Sequence, residues 1–259
     1  MEELRCEREG GVVTLCFDRP QRRNAIDVPL WQRLTSALGE IREREADRVV
    51  VLTGAGGHFC AGGDLSGAGP DATERAGDPV EAAMRAMRES VGAACLALHE
   101  LPKPVIAAVE GSAAGAGANL AFGCDLVVAA RGARFGEVFV RRALPVDSGG
   151  SWLLPRLVGL QRAKQLAFFG DWLSAEQALA IGLVSELVET GEALARARQL
   201  AARLAESSPH ALAWIKRNLN RSFEDGFEQS LEHEARALAD CIVTPEFAEA
   251  MRAFADRSR

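Results

Sequence analysis

The fifteen residues "GSAAGAGANLAFGCD" (111–125) carry almost no bulky side chain, yet they continue "KPVIAAVEG" (103–111), an apolar run of the kind that makes a strand buried on both faces of a sheet. The chain must turn sharply after that strand, and the pattern predicts a helix starting at about Gly115 or Ala116. A helix start leaves main-chain N–H groups without partners at the positive end of the helix dipole, and small side chains let another group come close to them. Either the tract permits tight helix packing, or it exposes backbone donors to a ligand. A second tract, "GAGGHFCAGGDL" (54–65), repeats the arrangement after another apolar run, "RVVVLTGAGG" (48–57). Two glycine-rich turns at the ends of adjacent parallel strands would bring donors together at one end of the sheet, where open α/β sheets bind ligands. Two N–H groups converging on one carbonyl oxygen stabilise it as it becomes anionic.

The surrounding pattern agrees with an α/β fold. "GVVTLCFDRP" (11–20) reads as a strand that alternates apolar and polar residues, and "DVPLWQRLTSALGEIRERE" (27–45) places Leu30, Leu34, Leu38 and Ile41 at helical spacing. "SGAGPDATERAGDP" (66–79) reads as a mobile loop, followed by a helix to about Leu101. "CDLVVAA" (124–130) and "ARF" (133–135) are further strands. Strands and helices alternate to about residue 190, which indicates a largely parallel sheet. From 192 the pattern is helical, in four segments ending at "PEFAEAMRAFADR". The expected organisation is therefore a core over 1–191 and a helical region over 192–259, whose apolar faces must lie on the core or on a neighbouring subunit.

Composition removes several function classes. A formal net charge of -6 argues against non-specific nucleic-acid binding. The six cysteines show no C-x-x-C pair and no histidine at metal-ligand spacing, so reduced thiols and no metal are expected. The charged start "MEELRCEREGG" and the lack of any apolar run near membrane-spanning length point to a cytoplasmic protein. There is no tyrosine, which excludes a tyrosine acid or base. "GAGGHF" and "GAGANL" each supply G-x-G, but neither has the third glycine or the acidic residue that dinucleotide binding requires. "VDSGGS" (146–151) superficially resembles the nucleophile loop of trypsin-like proteases, but His58, His99, His210 and His233 all stand in the wrong contexts.

"HFCAGGDL", "KPVIAAVEGSAAGAGANLAFGCDLVVAA", "LPVDSGGSWLLPRLVG" and "LSAEQALAIGLVSELV" together resemble the crotonase superfamily, the enoyl-CoA hydratase/isomerase family. The likeness runs from "FDRPQRRNAID" to the last helix, and it rests on four motifs in order at matching spacing. It implies a spiral of ββα turns with a C-terminal helical trimerisation region, acyl-CoA thioester substrates, no cofactor beyond the coenzyme A carried by the substrate, and homotrimers or dimers of trimers. From the net charge and the lack of a membrane-length apolar run, no nucleic-acid or membrane partner is expected. The oxyanion donors implied are the backbone N–H groups of Gly63 and Ala116, the second being glycine in most relatives. "RRNAI" and "AGGDL" stand where relatives line the coenzyme, which makes Arg23, Ala25, Ala61, Gly62, Asp64 and Leu65 candidates for substrate contact. Arg22 and Arg23 either meet coenzyme phosphates or are merely solvated.

Two departures carry weight. Where hydratases of this family hold two glutamates, this chain has Asn119 and Phe139, and neither exchanges a proton near neutral pH; by position the resemblance still implies Asn119 as a catalytic-site candidate and Phe139 as a candidate for substrate contact. What remains is Asp147 in "PVDSGG", either a helix N-cap or the acid/base. An aspartate here is similar to the single acid/base of the isomerases of this superfamily, ring-epoxide isomerases of phenylacetyl-CoA degradation among them, although the proline sits one residue early. One carboxylate suffices for isomerisation, and Phe139 would supply an apolar wall that raises its pKa. Strand alternation would put Glu137 on the same face as Phe139, as a second carboxylate. The expected activity is double-bond isomerisation of an enoyl-CoA. The alternatives are hydration using Asp147 or Glu137, or a non-catalytic acyl-CoA-binding role.

Overall fold

The computed structural model describes residues 3–66 and 78–257. Strand β1 (Leu4–Glu9) turns through Gly10 and Gly11 into the antiparallel β2 (Val12–Phe17). From β2 onward every pairing in the main sheet is parallel, through β3 (Val49–Gly54), β4 (Val105–Val109), β6 (Leu126–Ala130) and β9 (Glu186–Val188), in the order β1-β2-β3-β4-β6-β9. A smaller sheet joins β5 (Ser112–Ala114) in parallel to β7 (Arg134–Gly136), which pairs antiparallel with β8 (Trp172–Ser174). The uninterrupted apolar runs have a direct cause: both faces of the main sheet are covered. Val50, Leu52, Val105 and Ala107 lie in one core, while Val49, Val51, Ile106 and Ala108 lie in the other. β2 is buried along its whole length, so its expected alternation is not an inside–outside one.

Helix α1 (Val28–Glu43) starts where the Asp27 carboxylate accepts from Leu30 N–H at 3.0 Å, and it buries Leu30, Leu34, Leu38 and Ile41. The expected helix before Leu101 is three pieces: α2 (Pro79–Ala86), a wider π turn over Met87–Gly92, and α3 (Ala93–His99). The loop expected over 66–79 lies mostly outside the described residues. Then follow α4 (Ala116–Phe122), α5 (Gly150–Val158), α6 (Leu160–Phe169) and α7 (Ala175–Ala180).

The helices after residue 191 pack in two ways. Helix α8 (Ala193–Ala205) buries Ala193, Ala197 and Ala201, a row of methyl groups one turn apart, directly on the second face of the sheet. The remaining helices, α9 (Pro209–Arg221), α10 (Phe227–Ile242) and α11 (Pro245–Arg257), bury no described residue, and Leu219, Phe223, Phe227, Leu238, Val243 and Phe254 stand more than 60% exposed. They are tied to the core by Lys216, whose ammonium meets Asp125 Oδ2 at 2.8 Å and donates to the Lys103 carbonyl at 3.2 Å. Among the described residues no helix is long and apolar enough to cross a membrane. The six cysteines form no disulfide, and Cys16, Cys60 and Cys124 are buried.

Candidate functional site

The two glycine-rich segments leave β3 and β4, and main-chain hydrogen bonds join them. Phe59 N–H donates to Glu110 O, Cys60 N–H to Ser112 O, and Ala114 N–H to Cys60 O, all at 2.9–3.1 Å. On the other edge, Ala61 N–H donates to Arg23 O, Ile26 N–H to Gly62 O, and Asp64 N–H to Ile26 O. Segment 59–64 is thus the middle strand of a small belt. Glycine is required twice where this belt is closest. At Gly62 (φ +96) a side chain would come 2.7 Å from the Ala114 carbonyl and 3.6 Å from Ala116 N, and at Gly117 it would collide with the Cys60 carbonyl.

Neither Gly63 N–H nor Ala116 N–H finds an acceptor among the described residues. Ala116 is the first residue of α4, where no intrahelical partner exists. Both residues line one cavity of about 450 Å³, and Asp147 lines it too. Of the residues expected to touch a ligand, Ala25, Ala61, Gly62, Asp64, Leu65 and Phe139 also line it, as does Arg22. A larger hollow of about 580 Å³ beside Glu100 and α9 holds neither the open amides nor Asp147. The smaller cavity is therefore the candidate site. Among the described residues no group of three or more His, Cys, Asp or Glu side chains is placed to hold a metal ion.

Asp147 is not an N-cap, because α5 begins after Gly149, which makes no side-chain cap bond. Its carboxylate accepts from Ser148 Oγ–H at 2.8 Å and has no cationic partner among the described residues. Burial pushes its pKa up, against the opposing effect of the Ser148 bond. Its carbonyl oxygen accepts from Gly150 N–H at 2.9 Å and from Asn119 Nδ2 at 2.9 Å. The following Ser148 is held at φ +52, a conformation that a β-carbon disfavours.

Three expectations change. Asn119 is buried and stands behind Asp147 rather than lining the cavity with it. Arg23 is exposed and left-handed (φ +49), and only its carbonyl serves the belt; Arg22 and Arg142 are the arginines that line the cavity. Glu137 does not share a strand face with Phe139, because β7 ends at Gly136 and Glu137 starts a 3-10 turn over Val138–Arg142. Phe139 lies beside Gly115 on the cavity wall, while Glu137 turns inward to Asn119, 3.4 Å from its Nδ2.

The sequence reading missed what holds the site. Asn24 is fully buried at φ +59, donates to the carbonyls of Ala55 and His58 at 2.8 and 2.7 Å, and accepts from Arg19 N–H at 2.9 Å. Arg19 is buried, pairs with Asp64 and Asp27 at 3.1 Å each, and donates to the Ala25 carbonyl at 2.7 Å. Hydrogen bonds from Ser66, then the nearby Arg22 and Arg19, hold the Asp64 carboxyl below its usual range. Asp64 therefore braces the turn next to Gly63. Met87 and Val91 of the π turn and Trp31 of α1 complete the apolar wall. The signal for Arg19 was a charged residue directly before a proline in a strand-ending turn.

The Enoyl-CoA hydratase/isomerase family model matches residues 7–259. The chain is 40% identical over 234 residues to 1,2-epoxyphenylacetyl-CoA isomerase of Escherichia coli (strain K12), covering 90% of this chain and 88% of that one. It is 33% identical over 254 residues to the short-chain-enoyl-CoA hydratase of Clostridium acetobutylicum, covering 98% and 94%. The crystal structure of an enoyl-CoA hydratase/isomerase from Cupriavidus metallidurans CH34 superposes with a TM-score of 0.91 at 34% identity, over 99% of this chain and 94% of that one. With the fold, the belt and the match in agreement, the chain is a crotonase-type enzyme that belongs to the enoyl-CoA hydratase/isomerase family.

Proposed function

We propose that the enzyme moves the double bond of an enoyl-CoA, with Asp147 as the single acid/base. The observation that carries this reading is the composition of the cavity. Asp147 is its one lining carboxylate without a cation partner among the described residues, and it faces a site that also holds two open main-chain amides. With a 3-enoyl thioester, Asp147 takes a proton from C2, and the electrons spread to the thioester oxygen. Gly63 and Ala116 N–H hold that oxygen as an enolate. Asp147 returns the same proton to C4, the double bond now lies between C2 and C3, and the elements balance with no cofactor. Phe139 keeps water from that wall. Arg22 faces the cavity mouth, where its charge suits a coenzyme phosphate.

The test is a panel of 2-enoyl and 3-enoyl CoA esters followed by mass spectrometry. Conversion with no mass change and a shifted double bond is the expected result. A mass gain of one water would instead establish hydration. Tight binding with no turnover across the panel would favour a role in binding alone.

The exposed apolar residues of α9–α11 support association with further copies of the chain, for which a homotrimer or a dimer of trimers is the proposed form. Light scattering at micromolar concentration should give three or six times the chain mass, and a monomer there would overturn this.

A further inference from the structure

Two buried polar atoms behind Asp147 lack partners among the described residues: Oε1 of Glu137 and Oδ1 of Asn119. Glu137 is 3% exposed and Asn119 1%. Their other atoms meet, Asn119 Nδ2 to Glu137 Oε2 at 3.4 Å, while the same Nδ2 donates to the Asp147 carbonyl at 2.9 Å. With Glu137 as a carboxylate, both orphan atoms are acceptors and neither can serve the other. A single proton removes the conflict. A carboxylic acid facing a primary amide can donate to the amide oxygen while accepting from the amide nitrogen, closing a two-bond ring, and the second N–H of Asn119 remains for Asp147.

We propose that Glu137 carries a proton at working pH and, as a neutral acid paired with the Asn119 amide, acts as a positioning residue that holds the main chain of Asp147 from behind. The proposal rests on the reading of Asp147 as the acid/base of this site. Its electrostatic surroundings agree. Burial pushes the Glu137 pKa up to about 8, the Asn119 bond opposes this, and the charge of Asp147 adds to the rise. No cation compensates among the described residues: on the same turn Arg141 pairs outward with Asp171 and Arg142 lines the cavity, while α4 brings no ionisable group to this contact. From α3, Cys95 faces Asp147, with its thiol pushed up to about 12 by burial. Losing the Glu137 proton opens the ring and sets a second negative charge against Asp147. Turnover should therefore fall as pH rises through about 8.

Glu137→Leu and Glu137→Gln separate this from a structural role. Leu should lower kcat about tenfold with KM little changed, whereas Gln, which closes the same ring with an amide, should restore kcat to within about twofold at pH 7 and abolish the alkaline limb. Carboxyl NMR of the wild-type chain labelled at glutamate should show one resonance titrating near 8, absent in Glu137→Gln. An alkaline limb that persists in Glu137→Gln, or a labelled spectrum with no such resonance, would overturn the proposal. So would a loss of a hundredfold or more in folded Glu137→Gln, which would make Glu137 a direct proton carrier. If Asp147→Asn leaves turnover unchanged, the premise about Asp147 fails, while the resonance still reports the state of Glu137.

Discussion

Asp147→Asn is expected to lower kcat on the preferred enoyl-CoA by about 10²–10⁴-fold, the range for removing a general acid/base, with KM for the thioester nearly unchanged. Asparagine has the same shape, leaves an oxygen for the Ser148 hydroxyl, and keeps the carbonyl that Asn119 and Gly150 hold. What it removes is the capacity to take a proton. The wild-type pH profile should show the same group. On the proposed mechanism Asp147 acts as the carboxylate, and burial raises its pKa above the ordinary 3.8. Activity should therefore fall as pH drops through that raised value, at a higher pH than an exposed aspartate would give. The limb should be missing from the residual activity of the variant. Stability moves the other way. A carboxyl whose folded pKa is raised contributes stability that is complete below its unfolded pKa and lost as pH rises through the folded one. At pH 7 the asparagine variant should thus be at least as stable as the wild type, so a thermal melt distinguishes lost chemistry from lost fold. Unchanged turnover of both 2-enoyl and 3-enoyl esters would remove Asp147 from the mechanism.

Ala116→Pro should cost about 10²–10³-fold in kcat, the loss measured elsewhere for one oxyanion donor. The substitution deletes the N–H and sets a ring carbon in the space it faced, so the hydrogen bond and the approach to it are lost together. Ala116 occupies the first helical position, where proline is well tolerated because that N–H has no intrahelical acceptor. The residue before it is Gly115 at φ +52, free of the β-carbon that would clash with the proline ring. Ala116→Gly serves as the control and should stay near wild type, since it keeps the amide. On the proposed mechanism kcat should fall through loss of the donor, and KM should rise as well because the ring carbon stands in the path of the oxygen. Equal rates for the proline and glycine variants would mean that the carbonyl lies elsewhere.

Much of this arrangement was legible because local physics and the fold agree. Runs such as "VVVLTG" and "VIAAV" are strands covered on both faces, and the glycines after them mark the places where main chains touch. The C-terminal helices fall within two residues of their apolar periods. The parts that resisted depend on distant partners. Arg19 and Asn24 look like ordinary loop residues until Asp64 and the carbonyls of Ala55 and His58 arrive from β3. Glu137 lies one residue beyond the end of its strand, so period-two reasoning pointed it at the wrong wall. The π turn at Met87–Gly92 shifts the helical register by about one residue, and an expectation of one regular helix to Leu101 passes over it.

The belt through Cys60 and Ala113 makes the placing of the two amides depend on the whole topology. The two amides come from distant parts of the chain, and they become neighbours only after β3 has paired with β4 across the intervening helices. Such non-local closure comes slowly and cannot be rehearsed by a shorter piece. A piece that ends before β4 can form helices and single strands but cannot set the two amides side by side. The nearness of the two amides is therefore a property of the completed topology.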